Sequence, residues 1–301
     1  MAAIDGTYVG RDTAAGTTDR IFALVRLAKP GIVAAVLLAG YAGMVTAARG
    51  FPEPRTAALC LASLLLAAAG AAMLNCILDL PLDRNMGRLL ARVKALDAVG
   101  TRPALRTAGA CIFAALFVAL ALNRLFFLLV LAAVIFYTVI YTLILKRRFA
   151  WGAIPGGIPG ALPVLIGQAA VTGTCDTAGV ILFAIILLWQ PPHFWLLALR
   201  CRDEYRAAGV PVLPVARGES HTKVMSLAFT GALLPATLAL TLAGCSSPWF
   251  AAVAAALWVW FLAACCRHAV ATRRFERAFR ASVVYLALLL LAVILDTVIV
   301  R

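Results

Sequence analysis

The sequence predicts an all-α polytopic membrane protein of nine transmembrane helices, N-terminus inside and C-terminus outside. Three observations carry this. Of 301 residues, 64% are hydrophobic and only 13% charged, with a mean hydropathy of +0.98, which is more apolar matter than a water-soluble core can bury. The apolar residues fall in nine runs, each close to the roughly 20 residues needed to cross hydrocarbon. Finally, 23 of the 27 Lys and Arg residues lie at or beside alternate ends of those runs, the bias that holds basic segments on the cytoplasmic side. A net charge of +14 would suggest nucleic acid in a soluble protein. Here the basic residues punctuate apolar runs instead of forming a patch with interleaved aromatics, so no nucleic-acid partner is expected.

In chain order, residues 1–20 are polar and mixed in charge and lack the pattern of a signal peptide. They read as a flexible cytoplasmic tail, leaving 21–301 as a single membrane domain. The first run, 24–48, carries Lys29-Pro30 near its start, which leaves its beginning open. The second, 56–78, ends in "NCILDLPLDRNMGR". The third and fourth, 103–122 and 125–145, are separated by the polar Asn123-Arg124, and the fourth runs into "KRR" at 146–148. The fifth, 153–173, is rich in Gly and Pro; either it packs closely through Gly156 and Gly160, or it thins a wall to admit a large ligand. The sixth, 178–199, contains "LLWQPPHFW", where Pro191 and Pro192 are expected to interrupt the helix. The last three are 224–243, 248–266 and 281–299, and Asp296 near the end of the ninth has no evident purpose. Eight cysteines are scattered without paired metal-ligand spacing, and they read as small buried hydrophobes.

Asn75, Asp79 and Asp83 recur every four residues. At 100° per residue they project from one face of a helix, with Pro81 expected to kink or open it between the aspartates. Two carboxylates and an amide oxygen suit Mg²⁺, which bridges protein carboxylates to substrate phosphates, and no Cys or His in the cluster points to zinc or copper. Arg84, Arg88 and Arg92 follow, while Lys146 and Arg147 end the fourth run on the same side. Guanidinium and ammonium groups grip phosphate oxygens, so the pattern reads as a diphosphate site; the plainer reading is a solvated row of alternating charges. A second acidic group, Asp203 and Glu204 followed by Tyr205, lies at the inner end of the sixth run. Gln190 and His193 are intramembrane polar residues, and these are candidates for function or for helix-to-helix hydrogen bonds. Tyr137 and Tyr141 read as core or as aromatics that stabilise a cation.

Together these residues resemble the UbiA superfamily of intramembrane prenyltransferases. "DRNMGR", "YTLILKRR", "GALPVLIGQAAVTG", "LLWQPPHFW", "DEYRAAGVPVLPV" and "RAFRASVVYLALLLLAVILD" are similar, within it, to the heme O synthase family. The resemblance runs from "LAKPG" around Lys29 to the end of the ninth run. It implies a fold of helices around a lipid-accessible cavity, and transfer of a farnesyl group from farnesyl diphosphate to the vinyl group of protoheme IX. It implies Mg²⁺ held by Asn75, Asp79 and Asp83, with Lys146 and Tyr205 joining them in catalysis. Arg84, Arg88, Arg92, Lys146, Arg147, Asp203 and Glu204 would bind the diphosphate. His193, Gln190, Trp189, Tyr141 and Lys29 would line the heme cavity. The implied surroundings are a bacterial inner membrane with the motifs on its cytoplasmic side, and partners would include a downstream heme-modifying enzyme or oxidase assembly factor. Leu89, Pro81 and Gly31 stand where relatives commonly carry Thr, Asp and Arg.

Three other functions are weighed. A prenyltransferase acting on a hydroxybenzoate or naphthoate would share the diphosphate site and differ at "WQPPHFW" and "DEYRAAGVPVLP". A transporter would place its coupling carboxylates at mid-membrane, not at one rim. A non-catalytic heme-binding protein would not require Asp79 and Asp83.

Overall fold

A computed structural model describes residues 17–300, and among them every regular element is helical. In order these are α1 (Thr17–Leu27), α2 (Pro30–Ala48), α3 (Pro54–Leu78), the single turn α4 (Leu80–Asp83), α5 (Leu90–Val99), α6 (Thr101–Leu120) and α7 (Arg124–Arg148). Then come α8 (Ile158–Thr172), α9 (Thr177–Arg200), α10 (Arg202–Ala207), the turn α11 (Leu213–Ala216), α12 (Gly218–Leu242), α13 (Pro248–Ala271) and α14 (Phe275–Val300). Eight of them, α2, α3, α6, α7, α9, α12, α13 and α14, are long and apolar enough to cross a membrane.

The remaining apolar run, 153–173, supplies α8, which has only 15 residues. At 1.5 Å per residue it spans about 22 Å, short of the roughly 30 Å hydrocarbon core. Pro155, Gly156 and Gly157 form a 3₁₀ turn ahead of it, because two glycines and a proline resist a regular first turn. Most of α8 is buried. A Cβ on Gly167 would lie 2.0 Å from the Gly40 carbonyl oxygen, so α2 and α8 meet backbone to backbone. Two apolar cores share this pair. One contains Leu182, Phe250, Phe261 and Tyr285 and joins α9, α12, α13 and α14. The other contains Met44, Leu64, Phe126 and Ile166 and joins α3, α6 and α7. Phe113, Phe117, Leu128, Val259 and Leu291 are exposed, as a lipid-facing surface requires.

Several expectations change. The run 24–48 is two helices, because Lys29 takes a left-handed conformation (φ 56°) before Pro30, where proline disfavours the helical region for its predecessor. Residues 17–20 are not tail but the first turn of α1; residues 1–16 lie outside the described residues. Pro191 and Pro192 do not interrupt α9, which is continuous from Thr177 to Arg200. Both rings are buried, and packing against neighbouring helices offsets two missing backbone bonds. Pro81 does open the chain: α3 stops at Leu78 and α4 restarts after Asp79. Of the cysteines, Cys60, Cys76, Cys201 and Cys265 are buried as expected, whereas Cys175 and Cys266 are exposed, and all eight are free thiols.

Asp296 acquires a purpose. Buried on α14, it accepts the backbone N–H of Ser247 at 3.0 Å and the Ser247 hydroxyl, while Ser247 caps the N-terminus of α13 through the Phe250 N–H. The carboxylate ties two helix ends together.

Candidate active site

The break at Pro81 does not scatter the aspartates. The Asp79 N–H still donates to the Asn75 carbonyl at 2.9 Å and the Asp83 N–H to the Asp79 carbonyl at 2.8 Å, so the four-residue spacing survives in the main chain. Asn75, Asp79 and Asp83 are all buried. The Asn75 amide donates to Asp79 Oδ2 and to the Thr142 hydroxyl, both at 2.9 Å, and its oxygen accepts from Lys29 Nζ. Lys146 Nζ donates to Asp79 Oδ2 at 2.5 Å. Arg147 donates to the Leu78 carbonyl at 2.7 Å, capping the end of α3, and lies 3.7 Å from Asp79 Oδ1. Asp79 Oδ1 itself is buried without a hydrogen-bond partner. Burial raises the Asp83 carboxyl above its ordinary pKa, with Lys146 and then Lys29 pulling the other way.

Thr142 is a member of this network that sequence reasoning missed. Residues 136–145 of α7 are wound as a π-helix, and Thr142 Oγ1 donates to the Tyr137 carbonyl five residues back. That wider winding stacks Tyr137 on Tyr141 with centroids 6.0 Å apart and turns Thr142 toward Asn75. A threonine within an apolar run is the only mark it leaves in sequence, since π windings concentrate at functional sites but have no reliable pattern.

The second acidic motif divides. Tyr205 accepts a hydrogen bond from Arg88 Nη2 at 2.9 Å, and Glu204 pairs with Arg88 Nε at 3.3 Å. Burial raises the Tyr205 phenol's pKa, so it stays protonated. Asp203, by contrast, has a side chain 92% exposed and pairs with Arg206 one turn on, because α10 turns it away from its neighbours. Arg84 likewise points outward to Asp97. The structure therefore brings Asn75, Asp79, Asp83, Lys29, Lys146 and Arg147 together and joins Arg88, Glu204 and Tyr205, but leaves Asp203 and Arg84 outside. Leu89 is buried against Met86 and Tyr205, so its apolar side chain packs beneath the motif.

Beside this cluster opens a cavity of about 1240 Å³, larger than the roughly 300–1,000 Å³ of single-ligand pockets. Lys29, Arg92, Tyr137, Tyr141, Trp189 and His193 line it, and Lys29, bonded to Asn75, is the member of the carboxylate cluster that reaches it. Gln190, also on the lining, donates to the Gly157 carbonyl at 2.7 Å. A Cβ on Gly156 would fall 2.4 Å from Tyr141, and one on Gly160 2.2 Å from Gln190, so these glycines make room for cavity side chains. His193 Nδ1 lies 2.8 Å from Ser282 Oγ, a second residue absent from the sequence reading.

The sequence pattern of the UbiA prenyltransferase family matches residues 36–289. The chain belongs to that family. Its members are membrane enzymes of prenyl transfer, which accords with the apolar helices and the polar rim. A protoheme IX farnesyltransferase of Geotalea uraniireducens is 52% identical over 84% of this chain and 98% of its own length. One from Mycobacterium avium is 38% identical over 98% of this chain and 97% of its own. Among solved structures, the apo form of a UbiA homologue from Aeropyrum pernix K1 has a TM-score of 0.74 at 20% identity, covering 89% of this chain and 97% of that one. A UbiA homologue from Archaeoglobus fulgidus, solved with GPP and Mg²⁺, has a TM-score of 0.66 at 19% identity, covering 90% and 99%. At that identity the likeness is one of fold.

Proposed function

We propose that this membrane enzyme transfers the farnesyl group of farnesyl diphosphate to the vinyl group of protoheme IX, producing heme O. The observation that carries the reading is a buried carboxylate with a spare oxygen, Asp79 Oδ1, set between Lys146 and Arg147 and linked through Asn75 to Lys29, which lines a cavity large enough for two apolar bodies. The names of the 52% and 38% identical relatives support heme as acceptor. The distribution of basic residues supports a rim facing the cytoplasm, across a bacterial inner membrane. A downstream heme-modifying enzyme or an oxidase assembly factor is the matching recipient of the product.

The residues fit Mg²⁺. Among the described residues no three His, Cys, Asp or Glu side chains cluster as an all-protein metal cage, and Mg²⁺ prefers one or two carboxylates with water and substrate phosphates. Asp79 and Asp83 would hold it, and the Asn75 amide oxygen, which accepts from Lys29 here, would become a third donor once that bond is released. When bound there it neutralises charge on the phosphate oxygens. The protein's own share is electrostatic: Lys146, Arg147, Lys29 and Arg92 stabilise the diphosphate as it departs. Tyr137, Tyr141 and Trp189 wall the allylic cation from bulk water and present aromatic faces to it. The vinyl group attacks farnesyl C1, and water captures the resulting cation beside the porphyrin ring.

The test is purified protein with Mg²⁺, farnesyl diphosphate and either protoheme or 4-hydroxybenzoate, with products resolved by mass. A farnesylated, hydrated heme is the expected product. Prenylated benzoate with untouched heme overturns the choice of acceptor.

A further inference from the structure

Ser282, on α14, is fully buried and bonds to three cavity aromatics. Its carbonyl accepts the Trp189 indole N–H at 2.9 Å. Its hydroxyl donates to the Phe279 carbonyl at 2.6 Å and lies 2.8 Å from His193 Nδ1. A serine hydroxyl has one proton. With that proton directed to Phe279, Oγ can only accept from His193, so Nδ1 carries the imidazole hydrogen and Nε2 keeps the lone pair. The ring is held in plane by stacking on Trp189 (centroids 4.3 Å, 22°) and on Phe279 (4.6 Å, 29°). His193 lines the cavity, and no described residue bonds to Nε2.

We propose that Ser282 is a positioning residue that fixes His193 as the Nδ1–H tautomer, so that Nε2 accepts the proton of the water that captures the cation. The proposal rests on the heme farnesyl transfer reading above. The electrons balance. The C1–O bond of farnesyl diphosphate breaks and its pair leaves on the diphosphate. The vinyl π pair forms the new bond to farnesyl C1 and leaves the ring-attached carbon cationic. A water oxygen pair then forms the C–O bond, one O–H bond breaks, and its proton moves to Nε2. The imidazolium keeps its Nδ1–H on Ser282, and its proton passes afterwards to bulk water. Where the base is misdirected, the cation instead loses a proton from the neighbouring carbon, giving a product lighter by one water.

The experiment compares wild type, Ser282→Ala, Ser282→Thr and His193→Gln with farnesyl diphosphate, Mg²⁺ and protoheme, reading the ratio of hydrated to dehydrated farnesyl-heme by mass. Positioned acid–base groups contribute about 10²–10⁴-fold, so the ratio falls at least about tenfold in Ser282→Ala and His193→Gln. Ser282→Thr, which keeps the hydroxyl, restores it. A wild-type ratio in Ser282→Ala, or a Thr variant as defective as Ala, overturns the proposal. Should Ser282→Ala fail to fold, a wild-type ratio in His193→Gln overturns it equally. Absence of any farnesylated heme from the wild type overturns the functional reading itself, and this proposal with it.

Discussion

Asp79 and Asp296 are both about 1% exposed, one directly after α3 and the other in the last turns of α14, yet their surroundings differ. Asp296 has each oxygen bonded to the same serine, Ser247, and it forms no ion pair among the described residues. Asp79 spends one oxygen on Asn75 and Lys146 and leaves the other without a hydrogen bond, within 3.7 Å of Arg147. A buried carboxylate closed by neutral donors is a structural cap. A buried carboxylate with an oxygen to spare among cations is prepared for a ligand that brings its own charges. On the proposed reading, the contrast separates stability from function in two residues that composition alone cannot tell apart.

Asp79→Asn attacks the functional side of the contrast and has the largest effect on activity. Loss of one preorganised electrostatic group costs about 10²–10³-fold in kcat, so steady-state farnesyl transfer falls by at least that factor while the circular dichroism spectrum keeps its helical form. Lys146→Met comes next and reads differently. It strips a buried carboxylate of its partner, which destabilises by about 3–5 kcal/mol. In thermal unfolding the double variant Lys146→Met/Asp79→Asn regains part of that stability without regaining activity.

Asp296→Ala acts on the other side. Removing the cap costs about 1–2 kcal/mol, visible as a lower unfolding midpoint, while turnover per folded molecule stays near wild type. A marked loss of specific activity there would erase the distinction. The smallest effect belongs to Glu53, a carboxylate that caps α3 through the Arg55 and Thr56 N–H groups in full contact with solvent. Those bonds lower its pKa, so its contribution is present above the ordinary carboxylate pKa and is lost as pH falls through the depressed one. The difference in unfolding midpoint between wild type and Glu53→Gln therefore exists at pH 7 and closes in acid.

Much of this was legible in the sequence because lipid imposes a coarse rule. Apolar length marked nine runs, of which eight are helices long enough to span and the other, 153–173, holds only the short α8, and Lys29-Pro30 already marked the uncertain start that became a break between α1 and α2. The Asn75, Asp79 and Asp83 spacing was sound because their main-chain bonds continue across Pro81. What escaped depended on winding and packing. Thr142 reaches Asn75 only because α7 is wound as a π-helix there. Pro191 and Pro192 looked like a break, yet burial on several sides carries α9 through them. Asp203 and Glu204 are adjacent in sequence, but one helical step of 100° sends one to solvent and the other to Arg88. Ser282 is a single small polar residue whose partners lie 89 and 93 positions away, a relation no local pattern encodes.

The most direct test is equilibrium binding of farnesyl diphosphate to wild type, Asp79→Asn and Asp296→Asn, each titrated with Mg²⁺ and with EDTA in its place. Binding that needs Mg²⁺ in wild type and in Asp296→Asn, and that no longer responds to Mg²⁺ in Asp79→Asn, is the predicted result. Mg²⁺-dependent binding of equal strength in Asp79→Asn would contradict the assignment of that carboxylate.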